Sequence, residues 1–297
     1  MHISGSICAL ATPFDDDGAL DLPAFERLLK YQLDGGTEGV VVAGSTGEAH
    51  MLGEVEFDRL LTCALTVVDG AVPVIAGTGA AATSETVAQT RRAASIGADA
   101  ALVVTPYYVR PTQDGLRRHF LEVADRADVP IILYNVPSRC ACDMQPQTVA
   151  SLRDHEQIIG IKEAVGEPAR MLALAELAGD DFVYLSGDDG SAGEAMLGGA
   201  DGVVSVLANL VPRRFRAMCD AARGGDRQGV AEAFAAWRPL MEALECAPNP
   251  IPVKAALAAL ELCGARLRAP LYELEPGAAR DRLTNAVREL AASTTEP

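Results

Sequence analysis

Lys162 carries the clearest chemical potential in this 297-residue chain. It is one of only three lysines, with Lys30 and Lys254, and it ends the apolar run Ile158-Ile159-Gly160-Ile161. An amine at the end of a buried run is partly dried, which disfavours the ammonium and makes a neutral nucleophile available near neutral pH. Arginine, which makes up the rest of the 25 Lys plus Arg, cannot take that role. A lysine that ends a strand and snorkels to solvent fits the same pattern, so the residue alone leaves both readings open. Lys30, in an amphipathic stretch, and Lys254, in Ile251-Pro252-Val253-Lys254-Ala255-Ala256, read as surface or helix-end cations.

A lysine that forms an imine with a carbonyl substrate needs a proton carrier, and a phenol or hydroxyl donates and accepts at one atom. Tyr134, which ends the apolar run before that of Lys162, fits, and so does Thr46 in Gly44-Ser45-Thr46-Gly47-Glu48. Ser45 and Thr46 also offer hydroxyls and backbone N–H groups to a carboxylate, although Gly-Ser-Thr-Gly describes an ordinary loop equally well. Arg139, five residues after Tyr134, is read as following in a short loop, either clamping a carboxylate through two parallel hydrogen bonds or forming a surface salt bridge. Gly187-Asp188-Asp189 suits a close backbone approach or a turn opening a helix capped by Asp.

Ala76-Gly77-Thr78-Gly79 lacks the GxGxxG spacing of a dinucleotide site, so no such cofactor is expected. His2, His50, His119 and His155 are too dispersed for a metal cluster, and none of the last three falls at a strand end, as a metal-dependent aldolase would want. Seven cysteines without a CxxC pair read as reduced thiols in apolar positions.

These groups must be positioned by the elements around them. Short Val, Ile and Leu runs at 7–10, 39–43, 72–76, 101–105, 130–134, 158–161, 182–185 and 202–206 read as strands. Helical periodicity occupies 22–33, 54–68, 84–96, 113–126, 146–152, 168–178, 191–197 and 212–222. The strands are apolar on consecutive positions, as in a parallel sheet covered by helices on its outer face. Eight such units in about 225 residues predict an α/β fold, a closed (β/α)8 TIM barrel, whose functional groups lie at the C-terminal strand ends. Lys162, Tyr134, Arg139 and the Ser45-Thr46 loop all fall at such ends. After Gly224-Gly225 the strand signal stops, and 226–244, 252–262 and 277–290 read as helices. The expected organisation is therefore a barrel over 1–224 and a C-terminal helical extension over 225–297.

A hydrophobic content of 49% with 22% charged residues is globular and excludes disorder and fibres. The net charge of -16 repels phosphate backbones and anionic lipid, which argues against nucleic acid and membrane surfaces as partners. No segment approaches the roughly 18 apolar residues of a membrane span, and Met1-His2-Ile3-Ser4-Gly5 has no basic flank. A soluble, cytoplasmic protein is expected.

Taken together, Gly44-Ser45-Thr46-Gly47-Glu48, Ala76-Gly77-Thr78-Gly79, Thr105-Pro106-Tyr107-Tyr108, Leu133-Tyr134-Asn135-Val136-Pro137-Ser138-Arg139, Gly160-Ile161-Lys162-Glu163-Ala164, Leu185-Ser186-Gly187-Asp188-Asp189 and Asn249-Pro250-Ile251-Pro252-Val253-Lys254 make a specific set. In these segments the chain resembles the dihydrodipicolinate synthase family, within the N-acetylneuraminate lyase group of class I pyruvate aldolases. The resemblance implies that Lys162 forms an imine with pyruvate and that Tyr134, Thr46 and Tyr108 relay protons, with Tyr108 reaching in from a neighbouring subunit. It further implies that Arg139 holds the carboxylate of aspartate semialdehyde, that Gly187 and Val204 contact substrate through backbone, and that no metal or other cofactor takes part. A homotetramer built as a dimer of dimers is implied as well.

Ser45 departs from the second threonine usual in these synthases and is shared with other lyases of the group; it keeps the hydroxyl but loses a methyl. A related lyase that cleaves a sugar acid to pyruvate is thus the alternative, against which Arg139 and the Tyr107-Tyr108 pair argue. A catalytically dead binding protein on the same barrel is disfavoured by Lys162, Tyr134 and Thr46. Many members are inhibited by lysine at a dimer-interface site. Here Ala81 stands where that site typically has asparagine, and Ala49, His50, Glu54 and Phe57 alter other positions while Glu85 and Tyr107 persist, so poor inhibition is expected.

Overall fold

The computed structural model describes residues 3–292; His2 and the final 293–297 of the helical extension lie outside them. The chain runs β1 (Gly5–Ala9), α1 (Leu22–Asp34), β2 (Gly39–Val42), α2 (Glu54–Val68), β3 (Val74–Gly77), α3 (Thr83–Ile96), β4 (Ala100–Val104) and α4 (Gln113–Arg126). It continues through β5 (Ile131–Asn135), α5 (Pro137–Cys140), α6 (Pro146–Ala150), β6 (Ile158–Glu163), α7 (Pro168–Ala175), β7 (Val183–Ser186), α8 (Ala192–Leu197), β8 (Gly202–Ser205) and α9 (Pro212–Arg223). Three further helices follow: α10 (Arg227–Leu244), α11 (Ile251–Ala259) and α12 (Ala278–Ala292).

All eight strands pair in parallel and in chain order, and β8 returns to β1, so the sheet closes into the expected barrel. Strand bounds fall within two residues of those read from the sequence. The strands are almost wholly buried because their inner faces fill the barrel and their outer faces meet the helix layer. Prolines at the first turn of α5, α6, α7 and α9 start those helices where a free N–H would have no partner. Asp21, Thr112 and Asp226 cap α1, α4 and α10 by accepting from Ala24, Gly115 and Gly229 N–H.

Residues of α10, α11 and α12, among them Trp237, Leu240, Val253, Leu257, Leu283 and Val287, belong to the same hydrophobic cluster as the barrel. The α11 helix ends at Ala259, three residues before the apolar pattern does, and Glu261 just beyond it takes a positive φ of 59°. The four-residue α5 carries Arg139, which the sequence assigned to a loop. Five cysteines are buried, whereas Cys63 is half-buried and Cys246 exposed, so apolar burial does not account for all seven. Among the described residues no helix is long and apolar enough to cross a membrane.

Candidate active site

The C-terminal rim of the barrel gathers most of the predicted groups. Lys162 and Tyr134 are register partners on neighbouring strands, which turns their side chains to the same face. Lys162 is buried, and its Nζ stands 4.0 Å from the centroid of the Tyr134 ring. Its strand neighbour Glu163 points the opposite way and is anchored outside the barrel. That carboxylate accepts from Asn135 Nδ2 at 3.0 and 3.1 Å, from Val165 N–H at 2.9 Å and from Arg170 Nη1 at 3.3 Å. Burial pushes the Glu163 carboxyl up, and these donors oppose the rise. The network pins the end of β6, and with it the backbone that carries Lys162.

Gly187 follows β7 beside that lysine, and its N–H donates to Glu163 O at 2.7 Å. A Cβ at this position would lie 2.8 Å from Lys162 Cε and 3.0 Å from its Cγ. The glycine therefore makes room for the amine's stem. Asp188 accepts from Ser191 N–H and Oγ at the turn before α8. Asp189 is half-buried and accepts from Val206 and Leu207 N–H at 3.1 and 2.7 Å. It ties the loop after β7 to that after β8, next to the buried Val204, rather than capping α8.

Between β2 and α2, Thr46 is buried and Ser45 half-buried. The Thr46 Oγ1 accepts from Asn249 Nδ2 at 3.0 Å, and Gly47 O accepts from Thr12 Oγ1 at 2.7 Å. Two cavities meet here. One of about 280 Å³ is lined by Ser45, His50, Tyr107, Arg139 and Asn249; a cleft of about 200 Å³ is lined by Ser45, His50, Glu54, Glu85, Tyr107 and Tyr134. Ser45, read from the sequence as a substrate-binding hydroxyl, thus shares walls with Tyr107 and Tyr134. Arg139 is exposed at the mouth and donates through Nη2 to Asn249 O at 3.0 Å. Tyr108 stands apart from the cluster, 89% exposed and at a φ of +71° that a tyrosine rarely adopts.

Lys254 corrects the sequence reading. It is no surface or helix-end cation: its side chain and that of Glu48 are both fully buried, with Nζ 2.7 Å from Glu48 Oε1 and 4.3 Å from the centroid of the Phe14 ring. Burial presses Lys254 towards its neutral form and Glu48 opposes this. Glu48 Oε2 also accepts Arg268 N–H at 3.0 Å, and the Arg268 guanidinium bonds Glu56, Met51 O and Gly18 O. The C-terminal region therefore grips the β2–α2 loop through Asn249, Lys254 and Arg268. Sequence reasoning gave Asn249 no role, although it opens one of the recognised segments. Lys30, by contrast, lies exposed on α1 near Glu26, as read. Among the described residues no group of three or more His, Cys, Asp or Glu is arranged to hold a metal ion.

The sequence matches the model of the Dihydrodipicolinate synthetase family over residues 2–290. It is 54% identical to a 4-hydroxy-tetrahydrodipicolinate synthase of Xanthomonas axonopodis pv. citri, across 100% of this chain and 99% of that protein. Among solved structures, the dihydrodipicolinate synthase of Acinetobacter baumannii complexed with pyruvate superposes with a TM-score of 0.95 at 39% identity, covering 98% and 99% of the two chains. The enzyme of Cyanidioschyzon merolae with lysine bound gives 0.93 at 32% identity, over 98% and 99%.

Proposed function

Because the chain belongs to the dihydrodipicolinate synthetase family, we propose that it is a lyase that condenses pyruvate with L-aspartate 4-semialdehyde to 4-hydroxy-tetrahydrodipicolinate, for lysine and diaminopimelate biosynthesis in the cytoplasm. The observation that carries this reading is the buried Lys162 amine over the Tyr134 ring, with Gly187 leaving space beside its stem. The Lys162 amine adds to the pyruvate carbonyl and loses water to form an imine. The imine draws electrons from the methyl carbon, which releases a proton to give an enamine. The enamine carbon attacks the aldehyde of the second substrate. The amino group of that substrate then displaces the lysine, closing the ring and restoring the free amine.

Tyr134, whose ring lies beside the amine, is the proton carrier there, and Thr46 and Tyr108 complete the relay in this reading, with Tyr108 supplied across a subunit contact in a homotetramer. Ser45 shares cavity walls with Tyr107 and Tyr134 and is a second hydroxyl for the relay or for the pyruvate carboxylate. Arg139, exposed at the mouth, receives the carboxylate of the semialdehyde, while Gly187 and Val204 offer backbone contacts. The experiment is to incubate the protein with pyruvate, reduce with borohydride and map the adduct by mass spectrometry. A pyruvyl adduct on Lys162 is expected; one on Lys30 or Lys254, or none, overturns the reading. Rates with aspartate semialdehyde and with sugar acids then separate the synthase from a sugar-acid lyase.

A further inference from the structure

We propose that Asn249 is a positioning residue for the pyruvate half of the reaction, fixing which way the single proton of the Thr46 hydroxyl points. The inference rests on the imine reading above and adds to it a residue outside the barrel strands.

A threonine hydroxyl has one proton and two lone pairs, whereas an amide nitrogen can only donate. Asn249 Nδ2 lies 3.0 Å from Thr46 Oγ1, so the oxygen accepts there and its own proton must be directed elsewhere. Among the described residues Thr46 Oγ1 has no protein acceptor for that proton, although the residue is buried. A buried donor without a protein partner costs free energy unless a bound molecule takes the bond. At the rim of a site that receives a keto acid, the fitting acceptor is the carboxylate, to which a hydroxyl donates strongly.

Asn249 is itself held firmly. It precedes α11, which Lys254 locks onto Glu48, two residues beyond Thr46. Its carbonyl accepts from Arg139, so its backbone serves the mouth of the site while its side chain serves the loop after β2. The Asn249 Oδ1 is buried and has no partner among the described residues, so hydrogen bonding on the oxygen side does not account for the residue. The bond to Thr46 is the one side-chain hydrogen bond it makes among the described residues.

The test uses the full-length protein and borohydride trapping with pyruvate alone, reading the pyruvate concentration that half-saturates the Lys162 adduct. Asn249→Leu removes the donor, and Asn249→Asp replaces it with an acceptor that captures the Thr46 proton. Both variants are expected to raise the half-saturating concentration about tenfold, Asn249→Asp the more, and Thr46→Val about as much. The double variant Thr46→Val with Asn249→Leu should be no worse than Thr46→Val alone, within about twofold, because Asn249 acts through that hydroxyl.

The KM for aspartate semialdehyde should stay within about twofold in Asn249→Leu, since the carbonyl that meets Arg139 is retained. An unchanged half-saturation in Asn249→Leu, or a second full penalty on top of Thr46→Val, overturns the proposal. So does a larger effect on the aldehyde KM than on pyruvate. If Asn249→Leu does not fold, the near-isosteric Asn249→Asp carries the same comparison. Failure of the unaltered protein to trap pyruvate on Lys162 would instead refute the imine reading on which this rests.

Discussion

At the scale of single residues, the most exposed dependency is the space that Gly187 leaves for Lys162. Gly187→Ala would set a methyl 2.8 Å from Lys162 Cε, 3.0 Å from its Cγ and 3.2 Å from Glu163 O, and the amine stem, the most flexible of these, would yield first. A displacement of that kind misaligns the nucleophile without removing core contacts. The expected result is a loss of about 10²-fold in kcat with little change in thermal midpoint, measured by steady-state assay and calorimetry. Retention of more than a tenth of the activity would mean that the lysine does not use this space. Lys162 and Tyr134 were legible in the sequence because each ends an apolar run and the barrel pairs consecutive runs. Lys254 was not. Its partner Glu48 lies 206 positions away, and nothing local to Ile251-Pro252-Val253-Lys254 announces a buried carboxylate. Asn249 was hidden for the same reason, its partner Thr46 lying 203 positions away.

At the scale of elements, the β2–α2 loop is held from outside the barrel. Lys254→Met would leave the Glu48 carboxylate buried with only the Arg268 N–H to meet it. Stripping one partner from a buried pair costs roughly 3–5 kcal/mol, which chemical denaturation at pH 8 would read. A variant as stable as the unaltered protein under those conditions would contradict this account. Local periodicity fixes strand and helix positions well here, because strand ends coincide with the ends of apolar runs. It fails at α5, where Pro137-Ser138-Arg139-Cys140 makes a single turn too short to show a period.

At the scale of the whole molecule, Tyr108 faces outward, next in the chain to Tyr107 of the cleft. A tyrosine 89% exposed at a left-handed backbone angle suits a contact that another copy of the chain completes. Tyr108→Ala is expected to lower kcat at least tenfold while Lys162 still traps pyruvate, and light scattering should find a homotetramer in the unaltered protein. A monomer with full activity would refute both expectations. The cleft holds Glu54, Glu85 and Tyr107, but Arg92 binds Glu54 at 2.7 Å and Asp58 at 2.6 Å across its edge, committing charge there. Lysine at roughly 1 mM should inhibit by less than half, and an inhibition constant in the low micromolar to submillimolar range would refute that.

The only tryptophan of the chain, Trp237, is buried on α10 and stacks on Phe215 of α9 with centroids 5.6 Å apart and planes inclined by 15°. The seam between barrel and appendage therefore contains a native fluorophore, and its emission reports hydration there without any label. In a denaturant titration, emission and far-ultraviolet dichroism should shift at the same midpoint if the two parts melt as one body. A red shift that leads the dichroism would instead be the optical signature of the appendage peeling away first.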